Sequence, residues 1–283
     1  MLQLVECPRD AMQGMEEFIP TEVKIEYLNA LLRVGFHTID FGSFVSPKAI
    51  PQLADTAKVL AGLNLSGERS KLLAIVANAR GAAEAAAHAE IDILGYPFSI
   101  SEQFQLRNTN ATLEESLIRV GDIKDIADSA GKELVLYLSM AFGNPYGELW
   151  HPDIAIHWAR KLSDRFGVRT IALSDTIGSS DRESITGLFS ALIPELPMVS
   201  FGAHLHTTPE AWRDKIDAAY LAGCRRFDGA LKGYGGCPMA GNDLTGNMPT
   251  EMMISYFRET TETLSLNQEA LAEAMKIANQ IFP

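Results

Sequence analysis

No stretch of this 283-residue sequence approaches about eighteen consecutive apolar residues, so no membrane-spanning helix is expected. The N-terminus offers only Leu2 to Val5 before Cys7-Pro-Arg-Asp, too short for a signal-peptide core. Cysteine is scarce. Cys7, Cys224 and Cys237 make no disulfide framework and fit a reducing compartment, so a cytoplasmic protein is expected. Basic residues are outnumbered, 24 Lys and Arg against 36 Asp and Glu, for a net charge of −12. That balance argues against nucleic acid, whose phosphates demand a basic face, and leaves room for a small anionic ligand held by a local cluster of Lys and Arg. The glycine fingerprint of a dinucleotide site is missing after the first apolar run. Linkers, low-complexity tracts and charge runs are absent too, so nothing divides the chain.

What is present is alternation. Short apolar runs of strand character at Leu2–Glu6, Phe36–Gly42, Leu72–Asn78, Ile91–Pro97, Leu134–Met140, Thr170–Asp175, Met198–His206 and Arg226–Leu231 are separated by segments of helical spacing. Leu72-Leu-Ala-Ile-Val-Ala is almost wholly apolar, as strands buried on both faces of a parallel sheet are. Thr112-Leu-Glu-Glu opens one helix with a capping-box pattern, and Pro152 opens another. Cys7 to Gln13 reads as a loop. Eight strand–helix units in one undivided chain predict a single-domain α/β protein, a closed (β/α)₈ TIM barrel over about residues 1–262. A helical extension over about 263–283 is expected to pack outside the repeat.

A barrel gathers its functional groups at the carboxyl ends of its strands. Arg9 and Asp10 follow the first strand, Asp40 ends the second, Asn78 the third and Asp175 the sixth. His204 and His206 end the seventh; two apart on a strand, they face the same side. Cys237, on a Gly-rich run, and Asn247 lie beyond the eighth, which a closed barrel sets beside the first. One carboxylate, two imidazoles and an amide oxygen suit Mg²⁺ or Mn²⁺ with positions open for substrate oxygens. Arg9 has a second reading, as a partner for Asp40, and Asp175 another, as a helix-cap acid.

Pro8-Arg-Asp-Ala-Met-Gln, Ser43-Phe-Val-Ser-Pro-Lys, Ser174-Asp-Thr-Ile-Gly, His204-Leu-His and Gly235-Gly-Cys-Pro, in that order, resemble the 3-hydroxy-3-methylglutaryl-CoA lyases. These form a branch of the metal-dependent barrel family that also contains the isopropylmalate and citramalate synthases. The resemblance spans about Leu4 to Glu251. It implies Asp10, His204, His206 and an asparagine as ligands of a divalent cation. Gly246-Asn247 matches the family's Gly-Asn one residue late, which leaves Asn242 as a lesser candidate. The chain departs from the family at Thr207, where an Asp is usual, at Asp40, where a Glu is common, and over Glu210–Lys215, where Gly-Gln-x-x-x-Asn is usual.

The implied reaction is a retro-Claisen cleavage of 3-hydroxy-3-methylglutaryl-CoA to acetyl-CoA and acetoacetate. The candidate catalytic residues are Arg9, Asp40, Asp175, His204 and Cys237. Arg9 is to stabilise the enolate oxygen, Cys237 to protonate the enolate carbon, and His204 or Asp175 to take the hydroxyl proton. Gln13, Ser43, Lys48, Asn78, Arg80 and Arg107 are candidates for contacts with the acyl-CoA substrate. The resemblance also suggests a homodimer. The alternatives are a lyase for a related 3-hydroxy-3-alkylglutaryl-CoA, a condensing synthase and a non-catalytic CoA-binding protein.

Overall fold

Apolar strands and amphipathic helices take their places in the computed structural model much as their periodicities predict; the structure describes residues 1–67, 69–236 and 245–282. Strands β1 (Gln3–Glu6), β2 (Thr38–Ser43), β3 (Lys71–Ile75), β4 (Ile93–Ser99), β5 (Glu133–Ser139), β6 (Thr170–Asp175), β7 (Ser200–Thr207) and β8 (Arg226–Gly229) lie parallel, each beside its neighbour in sequence. β8 returns to β1, pairing Val5 with Asp228, so the eight strands close into a TIM barrel without free edges. A two-residue strand, β9 (Gly246–Asn247), adds antiparallel to the end of β7 and sets Asn247 opposite His206.

Around this ring run α1 (Pro8–Gln13), α2 (Thr21–Leu32), α3 (Thr56–Ala61), α4 (Ala79–Ala86), α5 (Glu102–Thr109), α6 (Leu113–Ser129), α7 (Pro152–Phe166), α8 (Arg182–Glu195), α9 (Trp212–Leu221), α10 (Thr250–Arg258) and α11 (Gln268–Ile281). The Thr112 capping box is formed at the start of α6. Among the described residues no helix is long and apolar enough to cross a membrane. Two elements differ from the sequence reading. Cys7–Gln13 is not a plain loop: Pro8 supplies the pre-set φ of a first helical residue and loses nothing by lacking an N–H there. α5 escapes the periodicity because it buries only Phe104 and Gln105, and so shows no apolar stripe.

Strand alternation builds two cores. Leu73, Ile75, Ile93, Val135, Tyr137 and Ala172 fill the barrel's interior, and the alternate positions, among them Leu72, Leu94, Leu136, Ile171 and Phe227, meet the helices. The terminal α11 packs against α2, and its neighbour Phe282 stacks on Tyr234, ring centroids 5.0 Å apart. The extension therefore reaches the loop that follows β8 and supports it.

Glu6 fastens the same region. On the helix-facing side of β1, its two carboxyl oxygens accept from Leu231 N (2.8 Å) and Thr250 Oγ1 (2.6 Å), tying the exit of β8 to the start of α10. Burial pushes this carboxyl up to about 8, and those two donors offset only part of the effect. A folded-state value above the ordinary one means that the folded protein holds the proton more tightly. Stability from this group is complete below the ordinary carboxylate range and is lost as pH rises through about 8. Glu6→Gln keeps the shape and cannot ionise. Its melting temperature is therefore expected to gain on that of the wild type as pH rises from about 5 to about 9. A difference independent of pH would show that the carboxyl titrates alike in both states.

Candidate metal centre and active site

The first helical turn after β1 puts two opposite charges side by side. Arg9 Nε lies 3.0 and 3.2 Å from the two Asp40 oxygens, and its Nη2 donates to Oδ2 at 2.5 Å. Its Nη1 donates to Asp10 Oδ1 and Gln13 Oε1, both at 2.9 Å. Arg9 is thus held at every nitrogen, which fixes the guanidinium plane. The structural partner foreseen for it, Asp40, is also the group that aims it. Burial raises Asp40 to about 6, with Arg9 opposing. Burial would raise Asp10 as well, but Arg9 and the imidazoles beyond outweigh it and hold Asp10 below the usual carboxylate range.

On β7 both imidazoles are held at one nitrogen. His206 Nδ1 is 3.1 Å from the Thr176 carbonyl, which can only accept, so Nδ1 carries the proton. Its Nε2 is then a lone pair, buried and without a partner among the described residues. His204 Nδ1 lies 3.3 Å from Asp228 Oδ2 on the neighbouring strand. Asn247, opposite His206, spends its amide N–H groups on Asp10 Oδ2 (2.7 Å) and the Tyr234 carbonyl (2.9 Å), leaving Oδ1 as an acceptor. Ligand atoms of Asp10, His204 and His206 all lie within 4.8 Å of one another. An orphaned imidazole nitrogen beside a carboxylate and a second imidazole is what a cation-binding pocket supplies, and second bonds that fix each histidine are its usual support.

Cys7, His204 and Asp228 also converge within 4.8 Å. There Arg226 Nη1 sits 2.7 Å from Asp228, so a positive charge already occupies the ground, and burial keeps Cys7 a neutral thiol. The Asp10 cluster is the better cation site. Sequence reasoning passed over Arg226 and Asp228, although two residues apart on one strand they share the inward face just as the two histidines do. Gly202 makes room for them: a Cβ there would lie 2.7 Å from Arg226 Nη1.

Other candidates are placed elsewhere. Asp175 does not join the cluster through its bonded oxygen. Oδ2 accepts from Lys215 Nζ (2.8 Å) and from Ser180 N and Oγ (3.1 and 2.5 Å). Burial leaves Asp175 only 1 % exposed, and its strand neighbours Ile171 and Leu173 face the helices. Asn78 caps α4, accepting from Gly81 N at 3.0 Å. Ser43 is buried and bonded to the Ile75 carbonyl at 3.3 Å. Lys48, Arg80 and Arg107 are exposed, Arg107 lying over the Tyr146 ring at 4.8 Å. Cys237 and Asn242 lie outside the described residues. Tyr234, Gly235 and Gly236 lead toward Cys237, with φ of 102° at Gly235 and 142° at Gly236.

A closed barrel with a carboxylate–imidazole pocket at the carboxyl ends of its first and seventh strands defines a barrel enzyme able to hold a divalent cation. The chain belongs to the HMGL-like family, whose model matches residues 2–279. It is 32% identical over 269 residues to the mitochondrial hydroxymethylglutaryl-CoA lyase of Bos taurus, covering 94% of this chain and 81% of that protein. Among solved structures it is similar to the HMG-CoA lyase of Brucella melitensis, with a TM-score of 0.89 and 30% identity over 99% of this chain and 98% of that one. It is also similar to an HMG-CoA lyase from Acinetobacter baumannii in complex with coenzyme A and 3-methylmalate, with a TM-score of 0.90 and 28% identity over 99% and 91% of the two chains.

Proposed function

We propose that this protein is a hydroxymethylglutaryl-CoA lyase, a carbon–carbon lyase that cleaves 3-hydroxy-3-methylglutaryl-CoA to acetyl-CoA and acetoacetate. The observation that carries the reading is the convergence of Asp10, His204 and the His206 Nε2, unpartnered among the described residues, with Arg9 alongside. Asp10, His204, His206 and Asn247 would hold the cation, Mg²⁺ or Mn²⁺ by the hardness of the set. Bound there, a divalent cation polarises the substrate's hydroxyl and a neighbouring carbonyl oxygen.

The chain's own groups do the rest. The tertiary hydroxyl gives up its proton, the bond between the carbinol carbon and the thioester's methylene breaks, and its electron pair moves into a thioester enolate. The base is Asp175, whose Oδ2 takes Lys215 and Ser180 while Oδ1 has no partner among the described residues, or His204, backed at Nδ1 by Asp228, at the expense of its place on the cation. Burial would weaken His204 as a base; Asp228 outweighs it and raises its proton affinity, whereas burial and the charge of His204 lower that of His206. Arg9, clamped by Asp40 and Gln13, supplies fixed positive charge for the enolate oxygen. Cys237 delivers a proton to the enolate carbon, completing acetyl-CoA.

The test is acetoacetate release from 3-hydroxy-3-methylglutaryl-CoA. Activity is expected to vanish with chelator and to return with Mg²⁺ or Mn²⁺; release that is absent, or indifferent to chelation, would sink the reading. A homodimer at work in the cytoplasm belongs to the same proposal, supported by the free thiols of Cys7 and Cys224, and size exclusion of the same preparation is expected to show the dimer.

A further inference from the structure

Lys215 is a buried lysine that the reaction does not use. It projects from the inner face of α9, and its side chain is 5 % exposed. An ammonium in such a place must satisfy three N–H donors, and this one has three acceptors: Asp175 Oδ2 (2.8 Å), the Gly178 carbonyl (3.0 Å) and the His206 carbonyl (2.8 Å). Two of these belong to the end of β6 and the turn after it. The third is the main chain of a proposed ligand. The same turn carries the Thr176 carbonyl that receives His206 Nδ1–H, and Ser180 closes it by donating to Asp175.

We propose that Lys215 is a positioning residue: with Asp175 it pins the turn after β6 to the main chain of His206, holding Thr176 where it fixes the Nδ1–H tautomer and leaves Nε2 for the cation. The inference rests on the metal reading above and deepens it. Asp175 becomes part of a strut. The charges suit this, because the carboxylate cancels the ammonium close to a site that must accept a dication. A buried ion pair is a poor source of stability but a good source of fixed geometry. It adds no contact to the cation, and acts only through the orientation of one imidazole.

The test compares wild type, Lys215→Met and Lys215→Gln; the glutamine keeps an N–H donor beside Asp175 but cannot reach all three acceptors. Mn²⁺ affinity is read from the free-ion EPR signal, the His206 tautomer from ¹⁵N NMR of the cation-free protein, and kcat at saturating Mn²⁺. Loss of second-layer support typically costs about 10–100-fold in metal affinity. That loss is expected in both variants, with the tautomer no longer fixed and kcat at saturating Mn²⁺ within a few fold of wild type. Unchanged Mn²⁺ affinity with the Nδ1–H tautomer retained overturns the proposal. So does a collapse of kcat at saturating Mn²⁺ in both variants, which would place Lys215 in the reaction itself. Wild-type protein that binds no Mn²⁺ would instead defeat the metal reading itself.

Discussion

Arg9→Met is expected to lower kcat by about 10²–10³-fold, the usual cost of removing a donor from a developing oxyanion, while Mn²⁺ still binds. The reason lies in how the side chain is held. Asp40, Asp10 and Gln13 take bonds from three of its nitrogens, so the charge is in place before the substrate arrives. Nothing has to reorganise when the enolate forms. Lys in its place keeps the charge and loses the fork, so Arg9→Lys is expected to restore only part of the rate. Steady-state kinetics at saturating cation, with Mn²⁺ binding measured alongside, checks this. A kcat within a few fold of wild type would reduce Arg9 to a structural partner of Asp40.

Cys237→Ala is expected to cost about 10²–10⁴-fold in turnover, the range for a lost general acid, without changing metal content. The backbone supports the assignment from one side. Gly235 and Gly236 have φ values that side-chain-bearing residues rarely adopt, and they bring the chain against the first loop just before the cysteine. Asn247 follows on the far side of the loop and meets Asp10. Unchanged turnover in the alanine variant would falsify the proton-donor role.

Much of this was legible in the sequence, for identifiable reasons. A parallel barrel writes itself as buried apolar runs alternating with helical spacing, and it sends chemistry to the strand ends. Arg9, Asp10, His204, His206 and Asn247 could thus be picked out by position and residue type. What stayed hidden are pairings across the fold. Lys215 and Asp175 are 40 residues apart, and Glu6 and Thr250 are 244 apart. No local pattern announces that a lysine on a helix will be buried, or that a strand acid will turn to the helices instead of the mouth. Asp175, a candidate base or helix-cap acid by its position, has Oδ2 bonded to Lys215 across the fold, a pairing that no local pattern shows. α5 was missed because its helix rests on a Ser101 cap and on Gln105 rather than on an apolar stripe.

Gly235 carries one more implication. A Cβ at that position would sit 2.7 Å from Asn247 Nδ2 and 2.9 Å from both Ala11 Cα and the Asp10 carbonyl. The arm that leads to the thiol and the shelf that carries the carboxylate ligand therefore rub directly, backbone on backbone, with a single absent carbon between them. Even alanine at 235 would wedge the two apart, and with them the proposed proton donor and the proposed carboxylate ligand. On the proposed assignment the enzyme's two chemical duties share a bearing surface, and a side chain at 235 is expected to be felt by both.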